Sequence, residues 1–170
     1  MVLPHRNSKS SRHSKITGDF GEALVLYWLS KHGFECVSVD HTGIDLLARN
    51  KHTSEIMGIS VKSRSRDSDH ESEFVSISRD NFEKAKNACR DFHCVPYFAI
   101  VVDAGGIIRV FVLPMSHLQR KYFPTGGATC AWKMTAKWRE QYERDPKILI
   151  IEFQTKPTTR IVRWFDRCVR

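Results

Sequence analysis

Hydrophobic and polar positions divide the chain into short, well-punctuated segments. Thr17-Gly18-Asp19 offers a helix start, with Thr17 or Asp19 as cap, and the helix is expected to run to about His32 and stop at Gly33. Its stretch Ala23–Leu29 is apolar almost all round, which predicts burial. Phe34–Val39, Ile44–Arg49 and Glu55–Ser65 read as strands of a meander, parted by turns at His41-Thr42-Gly43 and Asn50–Ser54. Arg66–Ser72 is a polar loop and Val75–Ser78 a short strand. Ser78 or Asp80 then caps a helix through Phe92, in which Phe82, Ala85, Ala88 or Cys89, and Phe92 recur at helical spacing.

The most apolar stretch, Val95–Met115, is long enough to suggest a membrane span. Asp103, Gly105, Gly106 and Arg109 interrupt it, and Val, Ile and Phe dominate it. It therefore reads as two strands, Tyr97–Val102 and Ile107–Leu113, around an Ala104-Gly105-Gly106 turn. Pro114 ends the second strand; a short helix at 116–122, a loop at 124–130, a helix over Ala131–Arg144 and a strand over Lys147–Phe153 follow. The order α-β-β-β-(β)-α-β-β-α-β predicts an α/β fold with a mixed sheet flanked by helices.

Composition narrows the class. A chain of 170 residues is expected to form one domain, long enough to bury a core without staples. Its 41% hydrophobic and 27% charged residues exclude a largely disordered or collagen-like chain. The net charge of +8 sits at the ends: residues 1–16 hold four basic residues and no acid, residues 155–170 hold five against Asp166, and the middle balances. Basic ends suit a polyanion, nucleic acid above all, or an anionic membrane surface; they also suit plain solvation. Residues 1–15 are expected to form a disordered basic arm. Residues 155–170 form a basic tail in which Arg160–Arg170 places apolar residues at helical spacing, as a DNA-, partner- or membrane-facing helix or a docked terminal one. The N-terminus lacks an apolar core of signal-peptide length. Five irregularly spaced cysteines fit a reduced, cytoplasmic setting, and Cys89-x4-Cys94 has no second pair to complete a zinc site.

Three residues suggest chemistry: Glu22 in the first helix, Asp45 early in the second strand and Lys62 in the third. Alternation along strands should point Ile59 and Val61 into the core and Ser60, Lys62 and Arg64 the other way. In the same manner Ile44 and Leu46 should face one side and Asp45 the other. If the strands pair, Asp45 and Lys62 meet on one face. Carboxylates with a lysine suit metal-assisted hydrolysis: the acids hold Mg²⁺, and the ammonium positions a water or steadies developing negative charge. Each residue also has a plainer role: Glu22 near a helix start, Asp45 in a turn, Lys62 as an edge-strand charge.

With Gly18-x-x-Gly21-Glu22, Gly43-Ile44-Asp45 and Ser60-Val61-Lys62 in that order, the sequence resembles the PD-(D/E)xK nuclease superfamily, the restriction-endonuclease-like fold, near Holliday-junction-resolvase-type small nucleases. The resemblance spans about residues 17–113 and implies an α-β-β-β-α-β core within a single nuclease-like domain at 16–154. It implies a metal-dependent DNA endonuclease, structure-selective for junction or branched DNA, and a homodimer. Asp45 would be the main Mg²⁺ ligand (Mn²⁺ substituting), Glu22 an added ligand or water-holder, and Lys62 the catalytic lysine. Where the family usually has Glu or Gln, two before the lysine, stands Ser60. A hydroxyl is a poorer Mg²⁺ ligand, so Glu22 must compensate, with Glu71 and Glu73 as further candidates; otherwise the chain is a nucleic-acid-binding module that has lost catalysis. Lys9, Arg12, Lys15, Arg64 and Arg66 are the candidate backbone contacts, and Trp132, Trp138 and Tyr142 either stack on bases or fill the core.

Overall fold

The computed structural model describes residues 9–67, 70–123 and 127–155. Helix α1 (His13–Lys31) begins four residues before the expected Thr17, with Arg12 as N-cap. The Thr17 hydroxyl donates instead to the His13 carbonyl inside the helix, at 2.8 Å. Residues 13–15 of the expected disordered arm are therefore helical. Strands β1 (Phe34–His41), β2 (Ile44–Asn50) and β3 (Ile56–Ser65) form the meander, and β4 (Val75–Ser78) leads into α2 (Arg79–Asp91) with Ser78 as N-cap. The apolar stretch folds as the hairpin β5 (Val95–Ala104) and β6 (Ile107–Pro114).

The main sheet has the order β1-β2-β3-β5-β6-β8, where β8 is Leu149–Gln154. Every pairing is antiparallel except β3 with β5, which run parallel from Met57↔Val95 to Ser65↔Asp103. A parallel neighbour needs a crossover, and β4 with α2 supplies it. The mixed sheet flanked by helices and the α-β-β-β-α-β order are thus present.

Ladder partners share a face. On one face Ile59, Val61, Ala99 and Val101 pack with Val25 and Leu29 of α1. On the other, Phe98, Ile100 and Val102 pack with Phe82 and Ala85 of α2 and with the C-terminal segments. Ser60, Lys62 and Arg64 pair with Phe98, Ile100 and Val102, so they occupy this second face, as alternation predicted.

Two expectations are corrected. Ile44 does not share a face with Leu46: it packs against Ala88 and Cys89 of α2, whereas Leu46 joins the α1 side. Regular β2–β3 pairing ends at Leu46↔Ile59, and the β1–β2 register slips between Ser38 and His41, so strict alternation lapses there. The helix expected over Ala131–Arg144 is a strand and a shorter helix: β7 (Thr129–Trp132) pairs antiparallel with β4 in a second, two-stranded sheet, and α4 spans Ala136–Glu143. Between β6 and β7, α3 (Met115–His117) runs into a π-helical turn, Leu118–Tyr122. Trp132 and Tyr142 stack at 3.9 Å and are almost wholly buried, so both are core residues and present no face to bases. The proposed helix at 160–170 lies outside the described residues.

Candidate active site

Where pairing of β2 with β3 stops, the Asp45 side chain takes over: its Oδ2 accepts the Val61 N–H at 2.6 Å. This bond fixes the carboxylate between the strands, beside the residue preceding Lys62. The turn before it is set by Gly43, whose φ of +108° favours glycine and whose backbone packs on α2 so closely that a Cβ would sit 2.4 Å from the Lys84 carbonyl oxygen. On the far side of the sheet, α1 approaches β3 at Gly21, where a Cβ would fall 1.8 Å from Ser63 Oγ. The next residue is Glu22, so the close approach that glycine permits seats this carboxylate's turn of α1 against β3.

The charges of the three groups act on one another. Burial, then the negative charges of Asp45 and Asp19, push the Glu22 carboxyl above its ordinary value, with Lys15 and Lys62 pulling back. Burial likewise drives the Lys62 ammonium below the ordinary lysine value. Asp45 and Glu22 resist that fall, and Arg64 and Lys84 add to it. Lys62 Nζ donates to Ser60 Oγ at 3.0 Å, and Ser60 is 2% exposed. The Asp45 carboxylate, the desolvated Lys62 ammonium and the buried Ser60 hydroxyl thus lie at the splayed end of β2 and β3, with Glu22 on α1 within reach of their charges.

The donor set suits a hard cation. Mg²⁺ takes oxygen ligands, keeps several waters, and is commonly held by one or two carboxylates together with substrate phosphates. Repulsion between Glu22 and Asp45 is the stress such a cation relieves. Among the described residues no group of three or more His, Cys, Asp or Glu side chains gathers.

The other candidates are placed differently. Glu71 lies against Gly105 in the β5–β6 turn, and Glu73 pairs with His70, so neither joins Asp45. Arg66 donates to the Glu73 and Phe74 carbonyls, which ties its guanidinium into the loop before β4. Lys9 donates to the Ser65 carbonyl at 2.8 Å and lies 3.8 Å from Asp67, and Lys15 pairs with Asp19. Arg12 and Arg64 are exposed. Lys9, Ser63, Arg64 and the first turn of α1 line a cavity of about 420 Å³. Sequence reasoning missed Lys84, whose charge reaches Lys62; nothing in a helical lysine announces that its helix docks on the Gly43 turn.

No protein-family model and no curated protein sequence matches the chain. Solved structures do. A Holliday junction resolvase, Hjc, from the archaeal hyperthermophile Archaeoglobus fulgidus is similar at 19% identity and a TM-score of 0.49, over 70% of this chain and 91% of that one. A restriction endonuclease in complex with substrate DNA is similar at 15% identity and a TM-score of 0.41, over 94% of this chain and 81% of that one. Among the described residues no helix is long and apolar enough to cross a membrane.

Proposed function

We propose that the chain is a metal-dependent DNA endonuclease that hydrolyses phosphodiester bonds, selective for junction or branched DNA. Asp45 held beside Lys62 at the splayed end of β2 and β3, with the Glu22 charge acting on both, supports this reading. Asp45 and Glu22 would hold Mg²⁺, or Mn²⁺ in its place. The ion, when bound, supplies a polarised phosphate and a bound water of lowered pKa. Asp45 is held rigid by the Val61 N–H, so its carboxylate pays little to reorient. Lys62 is partly desolvated, which strengthens its attraction for negative charge developing on the phosphate. Ser60 keeps the ammonium aimed by accepting its hydrogen bond. Arg64, with Lys9, Arg12 and Lys15, offers positive charge to the backbone of the DNA. A homodimer would bring two such sites to one junction.

Labelled four-way junction, nicked duplex, linear duplex and single strand, incubated with Mg²⁺ or Mn²⁺, test the reading. Cutting should vanish with EDTA and in Lys62→Ala and Asp45→Ala. Sedimentation of the protein alone tests the dimer. Cutting that Asp45→Ala leaves intact would refute the assignment.

Ser60 favours a second reading: a nucleic-acid-binding module without catalysis. Its hydroxyl is buried and already engaged by Lys62, which leaves one negative charge fewer for a metal. No cutting on any substrate, with binding that falls steeply with salt, would establish that reading instead.

A further inference from the structure

Hydrolysis leaves unused a second cavity, of about 410 Å³, walled by Arg120, Tyr122, Phe123, Lys133 and Trp138. Its volume is within the roughly 300–1,000 Å³ of small-ligand sites. The walls come from the π-helical turn, β7 and α4, segments that the motif residues do not reach. Trp138 is half-buried, with the Tyr122 ring edge-on at 6.2 Å, and the Lys133 ammonium lies 4.8 Å from its ring centroid. The Arg79 guanidinium stands 5.7 Å from the Phe123 ring.

The charges are unevenly committed. Lys121 gives its charge to Asp145, at 2.6 Å. Arg120 and Lys133 are exposed and have no ion-pair partner among the described residues. Among the described residues no carboxylate lines the cavity. A ligand that satisfies it must present a flat π-face to Trp138, displacing the Lys133 ammonium that now covers the ring, and a negative charge to Arg120 and to the displaced Lys133. A nucleotide has both. Bases inside a duplex are covered by their neighbours, whereas unpaired bases stack freely on aromatic side chains.

The cavity lies on the catalytic face of the sheet. Phe123 touches Phe82 at 5.3 Å, Phe82 touches Phe98 at 5.0 Å, and Phe98 is the ladder partner of Ser60. We propose that this cavity takes an unpaired nucleotide of a DNA strand, with its base on Trp138 and its phosphate on Arg120 and Lys133. Resting on the nuclease reading above, this makes the substrate a DNA that carries a single-stranded segment beside its duplex, as a branch or flap does.

The first test is binding without metal, by anisotropy of labelled oligo-dT and by tryptophan emission. Oligo-dT should bind, quench emission and outcompete a blunt duplex of equal length. Trp138→Ala should weaken binding about tenfold while Trp138→Phe keeps most of it, since stacking needs only a ring. Arg120→Gln with Lys133→Gln changes two exposed side chains and leaves the core intact. It should weaken binding comparably and flatten the salt slope by about 0.7 per lost phosphate contact. Unchanged affinity in that double variant and in Trp138→Ala overturns the proposal, as does a duplex that binds equally well. Binding that depends on Trp138 in a protein that cuts nothing upholds the cavity and refutes the nuclease reading. Cutting with no preference for branched over plain duplex upholds the nuclease and overturns the substrate assignment.

Discussion

Gly21→Ala measures how tightly α1 is seated on β3. The added Cβ would stand 1.8 Å from Ser63 Oγ, 3.0 Å from Ser63 Cβ and 3.6 Å from Val101 Cβ. In an unpacked helix the change stabilises by about 1 kcal/mol through propensity. Forcing a methyl into a filled interface costs about 1–3 kcal/mol, and an overlap this deep belongs at the upper end. The expected net loss is about 2 kcal/mol. Ser63 Oγ is buried and has no hydrogen-bond partner, so Ser63→Ala removes an unsatisfied group and should be neutral or mildly stabilising. In that background the nearest obstacle to Gly21→Ala is the Cβ at 3.0 Å, and the penalty should nearly disappear. Urea unfolding of the two single variants and the double variant then yields a coupling energy of about 2 kcal/mol. Cleavage should follow it, since moving Glu22 by about 1 Å costs on the order of 10²-fold. A coupling below about 0.5 kcal/mol would refute the tight α1–β3 contact and, with it, the account of how Glu22 reaches the site.

Gly43→Ala meets both a positive φ and the Lys84 carbonyl, so thermal unfolding should show a loss of about 3 kcal/mol or more. Asp145 is 5% exposed. Burial pushes its carboxyl up, but bonds from Lys121, Tyr122 and His117 outweigh this and hold it well below the usual range. The unfolded chain therefore takes up the proton first, and stability present at neutral pH is lost as pH falls below the ordinary aspartate value. Asp145→Asn should cost about 2–3 kcal/mol at neutral pH and flatten the acid limb of a denaturation series. Lys62 has a lowered pKa, so in alkali the unfolded state keeps its proton longer and stability rises with pH through that window. Lys62→Met should abolish that rise in urea titrations while lowering cleavage by about 10²-fold or more.

Much of this fold is legible in the sequence because the signals are local. Turn residues separate β1, β2 and β3, the two glycines split the apolar stretch into β5 and β6, and the spacing of Phe82, Ala85 and Cys89 marks α2. The motif residues could be assigned to their elements for the same reason, each lying inside a well-marked one. Partners distant in sequence were hidden. Thr129–Trp132 is a strand because it meets Val75–Ser78, and no pattern within 131–144 reveals that partner. Ile44 changes face because a ladder ends, which alternation cannot foresee. Ser63 has significance only beside Gly21, and Trp138 separates from Trp132 only once β7 has carried the latter into the core.

The pairing of β4 with β7 has a consequence for synthesis. Residues Glu22, Asp45, Ser60 and Lys62 have all left the ribosome long before Trp132, at about 5–20 residues per second. Yet the crossover carrying α2, which seats the Gly43 turn, is clasped by a strand that arrives among the last elements. A nascent chain halted before residue 129 would hold all four of these side chains and lack the strand that clasps the crossover. On the proposed reading, hydrolytic competence waits on Thr129–Trp132, far downstream of Lys62, so that a shorter nascent chain has the ingredients of the reaction without the assembled tool.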